Sequence, residues 1–369
     1  MGKHIDNYNY EVFRYQKTNP KPSDIDNFVN NEPSFIKWTD RLKDALTTGQ
    51  TLEFSTEFFR LACYRPFTKK FMYFENLLIQ RRYQQHRFFP PIQSIPDNKV
   101  ICVTNHSQVP FVVQMVENTA EYAVGGRTTQ CFPFYVYDED GSNRRENITD
   151  WALAQFRSQY GDESISKWDI FYYVYGLLHH PDYRERYADN LKRELPRIPF
   201  VPKAVENPSP QVERDLKSGG FWIFSQAGKQ LAEIHLNYET HKPYPLEWVE
   251  TEDMQTDWRV EKMRPRKKRD AENGNYKVYD TLKYNEFLTL TGIPEKAFAY
   301  RLGNRSALDW IVDQYRVKTD KRSGIVSDPN GYSDDPHYIV NLVEKVIQVS
   351  VETVDIVEQL AQLPFREAE

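Results

Sequence analysis

Apolar positions in the segment SALDWIVDQY recur at Leu308, Ile311, Val312 and Tyr315, the i, i+3, i+4, i+7 spacing of a helix with one buried face. Ser306 and Asp309 stand in capping-box positions at its start. The same period predicts a helix over TDWALAQFRSQYG, with Ala152, Leu153, Phe156 and Tyr160 on one face and Gly161 as the stop. A second runs through SKWDIFYYVYGLLHHP, opened by Ser166 and Asp169 and closed before Pro181. DYRERYADNLKREL follows, ended by Pro196, and then GGFWIFSQAGKQLAEIHLNYE with Phe221, Phe224, Leu231 and Ile234. A shorter helix is expected in SFIKWTDRLKDALTTG, capped by Ser34 and ended by Gly49.

From Asp335 onward, Leu342, Val346, Val349, Thr353, Ile356, Leu360 and Leu363 alternate in steps of four and three, a coiled-coil-like seam. Val343, Val354 and Val357 widen it, which favours packing across the parent domain over self-association. KVICVT, FVVQMV and CFPFYVYD are β-branched and aromatic runs between turn signals, and read as strands. Residues 54–91 mix aromatic and arginine residues too irregularly for assignment. The first thirty residues are polar, rich in Asn and Tyr, and broken by NPKPSD, which reads as an arm or linker. The expectation is an α+β fold with an arm at 1–34 and a main domain at 35–330. Within that domain a mixed sheet lies near 98–138, helices dominate 146–240, and a basic loop occupies 259–277. A long C-terminal helix fills 331–369.

Composition narrows the function. With 369 residues and 40% apolar content the chain can bury a sizeable core. Cys63, Cys102 and Cys131 lie far apart in sequence without a C-x-x-C pair, which argues against a disulfide framework or structural zinc. No apolar run approaches the roughly 18 residues of a membrane span, so a cytoplasmic protein is expected. The net charge of −5 excludes coating of nucleic acid by bulk positive charge. Residues 256–330 nevertheless hold 16 Lys/Arg against 11 Asp/Glu, and RVEKMRPRKKR within them has seven basic residues and one acid. That stretch is either a face for a polyanion or a solvated loop kept basic for solubility.

No catalytic set emerges. There is no G-x-x-x-x-G-K-[ST] loop and no G-x-S-x-G elbow. The strings nearest to an Asn-Pro-Pro-aromatic turn, NPKP at Asn19 and NPSP at Asn207, lack the paired prolines and the aromatic residue. Asp182 with Asp215 and Lys217 imitates a nuclease acid plus D-x-K pattern, which short chance matches also produce. His179 and His180 are neighbours on a helix, diverge by about 100°, and read as a polar helix terminus and not a metal pair.

Longer strings carry more. CFPFYVYDED, RRENITDWALAQFRSQYGD, YPLEWVE, YNEFLTLTGIP and YRLGNRSALDWIVDQYRVKTDKRSGIVSDPN, with ISKWDIFYYVYGLLHHPDYRERYADNLKRELPRIPF, resemble the C-terminal specificity region of type ISP (single-polypeptide type I-like) restriction-modification enzymes. The resemblance spans roughly residues 35–354. It implies a DNA target recognition module in phage defence, not catalytic by itself. In that family a nuclease, a translocating ATPase and an adenine N6-methyltransferase precede the module. AdoMet, ATP and Mg²⁺ are therefore expected only in those upstream modules, on the same or a companion chain, and the partner here is double-stranded DNA. The missing signatures are expected of a fragment or of a truncated or split gene product. An interaction scaffold built on the C-terminal seam, or a remnant of a catalytic module, remains the alternative.

The resemblance does not say which residues touch DNA, so the chemistry of contacts has to. Base edges are read by Arg, Lys, Asn and Gln on firm supports, and phosphates are held by Lys, Arg and helix N-termini. The candidates are Arg264, Arg266, Lys267, Lys268 and Arg269 on the basic loop; Asn304 and Arg305 before a helix; Lys318, Lys321 and Arg322 after it; and, less centrally, Arg144 and Arg145.

Overall fold

The computed structural model describes residues 1–90, 98–106, 108–202, 219–251, 257–272, 276–363 and 365. Asp215, Lys217 and the NPSP string fall outside them. The start of the chain is not an arm. Helix α1 (Gly2–Thr18) buries Ile5, Tyr8, Val12 and Tyr15, a 3-4-3 spacing in which tyrosine rings supply half the apolar surface. Counting Tyr and Asn as polar hides that stripe, because a tyrosine has a large apolar body behind its hydroxyl. The Tyr8 hydroxyl donates to the Gln50 carbonyl at 2.9 Å, and the Asn9 side chain bridges both backbone groups of Leu52. Helix α2 (Asp40–Thr47) completes this small core and is capped by Thr39 instead of Ser34.

The unassigned aromatic stretch contains a hairpin, β1 (Phe59–Arg65) with β2 (Thr68–Tyr73). Next come β3 (Val100–His106), β4 (Val109–Val116), β5 (Thr119–Ala120) and β6 (Gln130–Pro133). The expected sheet forms in the order β4-β3-β6, all antiparallel, while β5 adds in parallel to β1. The sheet is covered on both sides. Ile101, Val103, Val113 and Met115 face the helices, whereas Val100, Cys102 and Val116 meet Phe88, Phe89 and Val124. Burial on both faces explains why these strands read as continuous apolar runs. Cys102 and Cys131 stand opposite each other on β3 and β6 with sulfurs 3.6 Å apart, both as free thiols.

Helix α3 (Asp150–Tyr160) starts at a Thr149 cap and stops at Gly161 with φ +64°. Helix α4 (Lys167–Leu177) carries the complete Ser166–Asp169 capping box. The single helix expected after Pro181 divides into Pro181–Arg186 and Ala188–Leu191. Helix α5 (Gly219–Leu236) crosses α4 at very short range. A Cβ on Gly228 would lie 1.8 Å from the Tyr172 carbonyl oxygen, and one on Gly176 would lie 2.2 Å from that of Phe224.

A second sheet, of strands β7 (Glu247–Glu250), β8 (Arg264–Arg266), β9 (Thr281–Lys283) and β10 (Leu288–Thr291), is antiparallel throughout in the order β8-β9-β10-β7. It shares a core with helices α6 (Ala307–Gln314) and α7 (Tyr338–Ala361). The C-terminal helix does not stand apart as its own segment. Ile339 to Val349 pack into this second core, while Leu360 and Leu363 enter the core under α4 and α5. The seam is thus spent inside the parent domain. The fold is mixed α+β, and among the described residues no helix is long and apolar enough to cross a membrane.

A buried polar chain ties the halves. Thr353 donates its hydroxyl to the Val349 carbonyl at 2.7 Å, so its oxygen accepts the Nε2 proton of His235 at 2.9 Å. The Nδ1 of His235 is then an acceptor, and the Tyr175 hydroxyl donates to it at 2.7 Å. His179 and His180 do follow the end of α4, but as buried residues. They are 3% and 0% accessible: the chain folds back over His180 through Leu363 and Phe365, and His179 packs against Tyr175 and His235. Burial pushes the His179 imidazole down to about 3, and it depresses His180 and His235 as well.

Two outcomes follow from this packing. Gly228→Ala should lower stability by about 3 kcal/mol, read as a shift in the urea midpoint, because the added methyl meets backbone and not a movable side chain. Acid should also destabilise the fold, with the loss beginning where unfolded histidines titrate. Each buried histidine stays neutral in the native state while its unfolded counterpart takes up a proton below about pH 6.5. Stability is therefore whole above that pH and falls toward pH 3, by about 1.4 kcal/mol per pH unit for each such proton. His179→Leu should remove about one proton's share of that slope between pH 6 and 5, measured by urea unfolding.

Candidate nucleic-acid interface

The basic segment at 264–269 is not a loose loop. Val260 and Met263 are buried before it, and Arg264–Arg266 forms the edge strand β8, where Pro265 needs no ladder partner on its solvent side. Arg264 pairs with Lys283, Pro265 with Leu282 and Arg266 with Thr281. Leu282 and Leu290 point into the core, so the alternation sends Arg264 and Arg266 to the outer face, beside Lys283, Thr281, Thr289 and Thr291. Lys267 follows in a left-handed turn, φ +45°. Lys268 lies 4.0 Å from the Asp309 carboxylate and over the Tyr279 ring, and Arg269 is held by Glu295 at 2.8 Å. Arg264, Arg266 and Lys267 make no ion pair among the described residues.

Helix α6 is the buried peg that its pattern predicts. Leu308, Ile311 and Tyr315 are fully buried, Val312 is half-buried, and the Trp310 indole donates to the Leu302 carbonyl at 3.0 Å. Its N-terminus, however, is not an open anion site. The Ser306 hydroxyl oxygen accepts the Asp309 N–H at 3.1 Å and donates to the Asp309 carboxylate at 2.8 Å. The Ser306 cap takes the Asp309 N–H, and the Asp309 carboxylate in the first turn puts a negative charge where a phosphate would have to bind. Arg305 turns away from that position. It lies over the Trp310 ring and pairs with Asp313 at 2.8 Å. Asn304 is exposed at the tip of a tight hairpin, where Arg301–Leu302 pairs with Arg305–Ser306 and Gly303 takes φ +69°.

Asp313 is a hub. It also binds Arg316 at 2.9 Å and approaches Lys318 at 3.8 Å. Partial burial alone would raise this carboxyl, but the Arg305 hydrogen bond and the charges of Lys318, Arg305 and Arg316 hold it below the usual range. Lys318 begins a hairpin of β11 (Lys318–Thr319) and β12 (Val326–Ser327) whose tip presents Lys321 and Arg322 to solvent. The tip is set by Asp320, which accepts the backbone N–H groups of Arg322 and Ser323 at 3.0 and 2.8 Å. Asp309 and Asp313, one helical turn apart, thereby collect three basic segments that are distant in sequence: Lys268, Arg305 and Lys318.

Arg144 and Arg145 do not join this group. Arg145 pairs with Asp138 at 2.8 Å and Arg144 lies over the Tyr135 ring, beside the first sheet. A residue that the sequence left unassigned does join it. Lys70 on β2 donates to the Ser327 hydroxyl at 3.3 Å and lies over the Tyr64 and Tyr332 rings. The signal was present in the interleaved aromatic and basic residues of YRPFTKKFMYF, without any period to place them. Among the described residues no group of three or more His, Cys, Asp or Glu could hold a metal ion.

The model of the type ISP C-terminal specificity domain family matches residues 1–342. The chain belongs to that family. The match begins at residue 1, so helix α1 is part of the specificity domain. Three solved structures are similar. A nuclease-deletion mutant of the type ISP restriction-modification enzyme LlaGI, in complex with a DNA substrate mimic, is 34% identical with a TM-score of 0.81, covering 99% of this chain and 31% of that one. The ATP-dependent type ISP enzyme LlaBIII bound to DNA is 31% identical with a TM-score of 0.79, covering 99% and 22%. DrdV, in a DNA complex, is 32% identical with a TM-score of 0.78, covering 96% and 33%. The specificity domain thus spans a third or less of these relatives. No curated protein matches it.

Asp313→Asn tests the hub. Freed from their counter-charge, Arg305, Arg316 and Lys318 should make the domain elute from heparin at higher salt. The accompanying stability loss should be about 1 kcal/mol in urea unfolding, since these pairs are partly exposed.

Proposed function

We propose that this specificity domain is the target recognition module of a type ISP restriction-modification system. It holds duplex DNA against the face around α6 and positions it for an adenine N6-methyltransferase and a nuclease–translocase carried outside these 369 residues. AdoMet, ATP and Mg²⁺ belong to those other modules in this reading. The observation that carries it is the sorting of basic residues in a family of specificity domains. Lys268, Arg305 and Lys318 are neutralised at the base of the face, while Arg264, Arg266, Lys267, Lys321 and Arg322 project from it without ion-pair partners among the described residues. The three similar structures are DNA complexes, which supports the same ligand.

The supports suggest a division of labour. Arg264 and Arg266 stand two residues apart on one side of a strand, about 6.6 Å from each other. Their fork-shaped guanidinium groups on a firm backbone suit guanine edges in the major groove. Lys321 and Arg322, on a hairpin tip, suit phosphates and set the register.

Selection from a randomised duplex pool at moderate salt, followed by sequencing, tests the proposal. A short enriched site is expected. Arg264→Ala with Arg266→Ala should relax particular positions of that site and cost at least about 10-fold in affinity. Lys321→Ala with Arg322→Ala should weaken all duplexes alike and reduce the salt slope by about 2. Failure to retain any duplex would sink the proposal.

A further inference from the structure

Behind Lys70 the β1–β2 hairpin and the segments around residues 81–88 and 119–131 enclose a cleft of about 640 Å³. Its floor is apolar, made by Ala62, Phe74, Phe88 and Ala120. At its mouth Tyr83 and Tyr122 lie ring against ring, 5.9 Å between centroids and 13° from parallel, although they are 54% and 53% exposed. Two stacked tyrosines that open to water contribute little to a core, since about half of each remains solvated. They offer flat aromatic faces to a ligand instead.

The charge on the walls is mainly positive. Lys70, Arg81 and Arg82 line the cleft and form no ion pair among the described residues. Its one acid, Glu121, is taken by Arg65 at 2.5 Å. Aromatic faces, unpaired cations and the amide of Gln84 together match a nucleotide, which combines a π surface, a polar base edge and a phosphate. Its volume lies within the range of sites that enclose small ligands.

The cleft is continuous with the α6 face. Lys70 reaches Ser327 of the hairpin that carries Lys321 and Arg322. The loop holding Tyr122 and Thr128 seats Gly126 against the Trp310 ring of α6, where an added Cβ would lie 3.1 Å from it. A strand leaving a duplex on that face therefore has a basic path into the cleft.

We propose that this cleft binds unpaired nucleotides of a DNA strand, with a base on the Tyr83–Tyr122 platform and phosphates at Lys70, Arg81 and Arg82. The proposal deepens the reading above and rests on it.

The test is fluorescence anisotropy of the full chain with three probes: labelled dT12, a labelled 20-base-pair duplex, and unlabelled thymidine monophosphate as competitor. Expected is binding of dT12 that falls at least about 10-fold in Tyr83→Ala with Tyr122→Ala. Tyr83→Phe with Tyr122→Phe should keep near wild-type affinity, since the aromatic faces remain. Should the alanine pair lower the melting temperature, Arg81→Gln with Arg82→Gln replaces it, and the expected result is weaker dT12 binding with a salt slope smaller by about 0.7 per lost phosphate contact. Absence of dT12 binding while the duplex still binds overturns this inference alone, and absence of both overturns the DNA reading as well. Binding of dT12 that neither pair of substitutions weakens also overturns it. Competition by thymidine monophosphate at the concentration at which dT12 binds overturns the strand as ligand in favour of a free nucleotide.

Discussion

The backbone contact between Gly176 and Gly228 is the constraint on which the arrangement turns. Where α4 and α5 cross there is no room for a side chain on either helix, so the main chains themselves are the packing surface. Helices normally keep 8–10 Å between axes according to the side chains at the crossing, and glycine is what permits the shorter end of that range. The consequence travels outward. Held that close to α4, α5 can touch β4 on one flank and α7 on another. His235 then reaches both Tyr175 and Thr353, which places three helices in a single hydrogen-bonded register. Helix α7 extends from there into the second core and supports α6, the element that presents the basic face.

The charge arrangement on that face is about position more than stability. Exposed or partly exposed ion pairs contribute about 1 kcal/mol or less, too little to explain why Asp309 and Asp313 hold the bases of three separate segments. What they do is fix where the remaining cations stand. A rigid apolar helix with two acids one turn apart draws Lys268, Arg305 and Lys318 inward. The neighbours of those residues, on an edge strand and on two hairpins, are then left outward at set spacing. An overall charge of −5 is compatible with this, because what a polyanion meets is the local field and not the total.

Much of the secondary structure was legible. The capping box at Ser166 and Asp169, the Gly161 stop, the apolar strands of the first sheet and the α6 stripe all formed where their residues indicated. Such signals are local: a cap and the helix it closes lie within four residues of each other. The errors have separate causes. Helix α1 was hidden because tyrosines that bury their rings were weighed as polar, and the Arg264–Arg266 strand because an edge strand can be basic on its outer side. That the polar terminus at His179 and His180 is buried could not be read, because a closing C-terminal segment, 183 residues away, covers His180.

By itself, then, the sequence determined the class of fold, most helix limits, the family and the four basic segments from which a polyanion site could be drawn. Only the tertiary structure decided which cations remain available. It neutralised Lys268, Arg305 and Lys318 at α6, set Arg144 and Arg145 elsewhere, and brought in Lys70 and the tyrosine-mouthed cleft from a stretch without any period. The physical reason is that periodicity and capping depend on neighbours a few residues apart. A charge is spent or left free by whichever partner the packed backbone carries within about 4 Å of it, and that partner can lie anywhere along the chain.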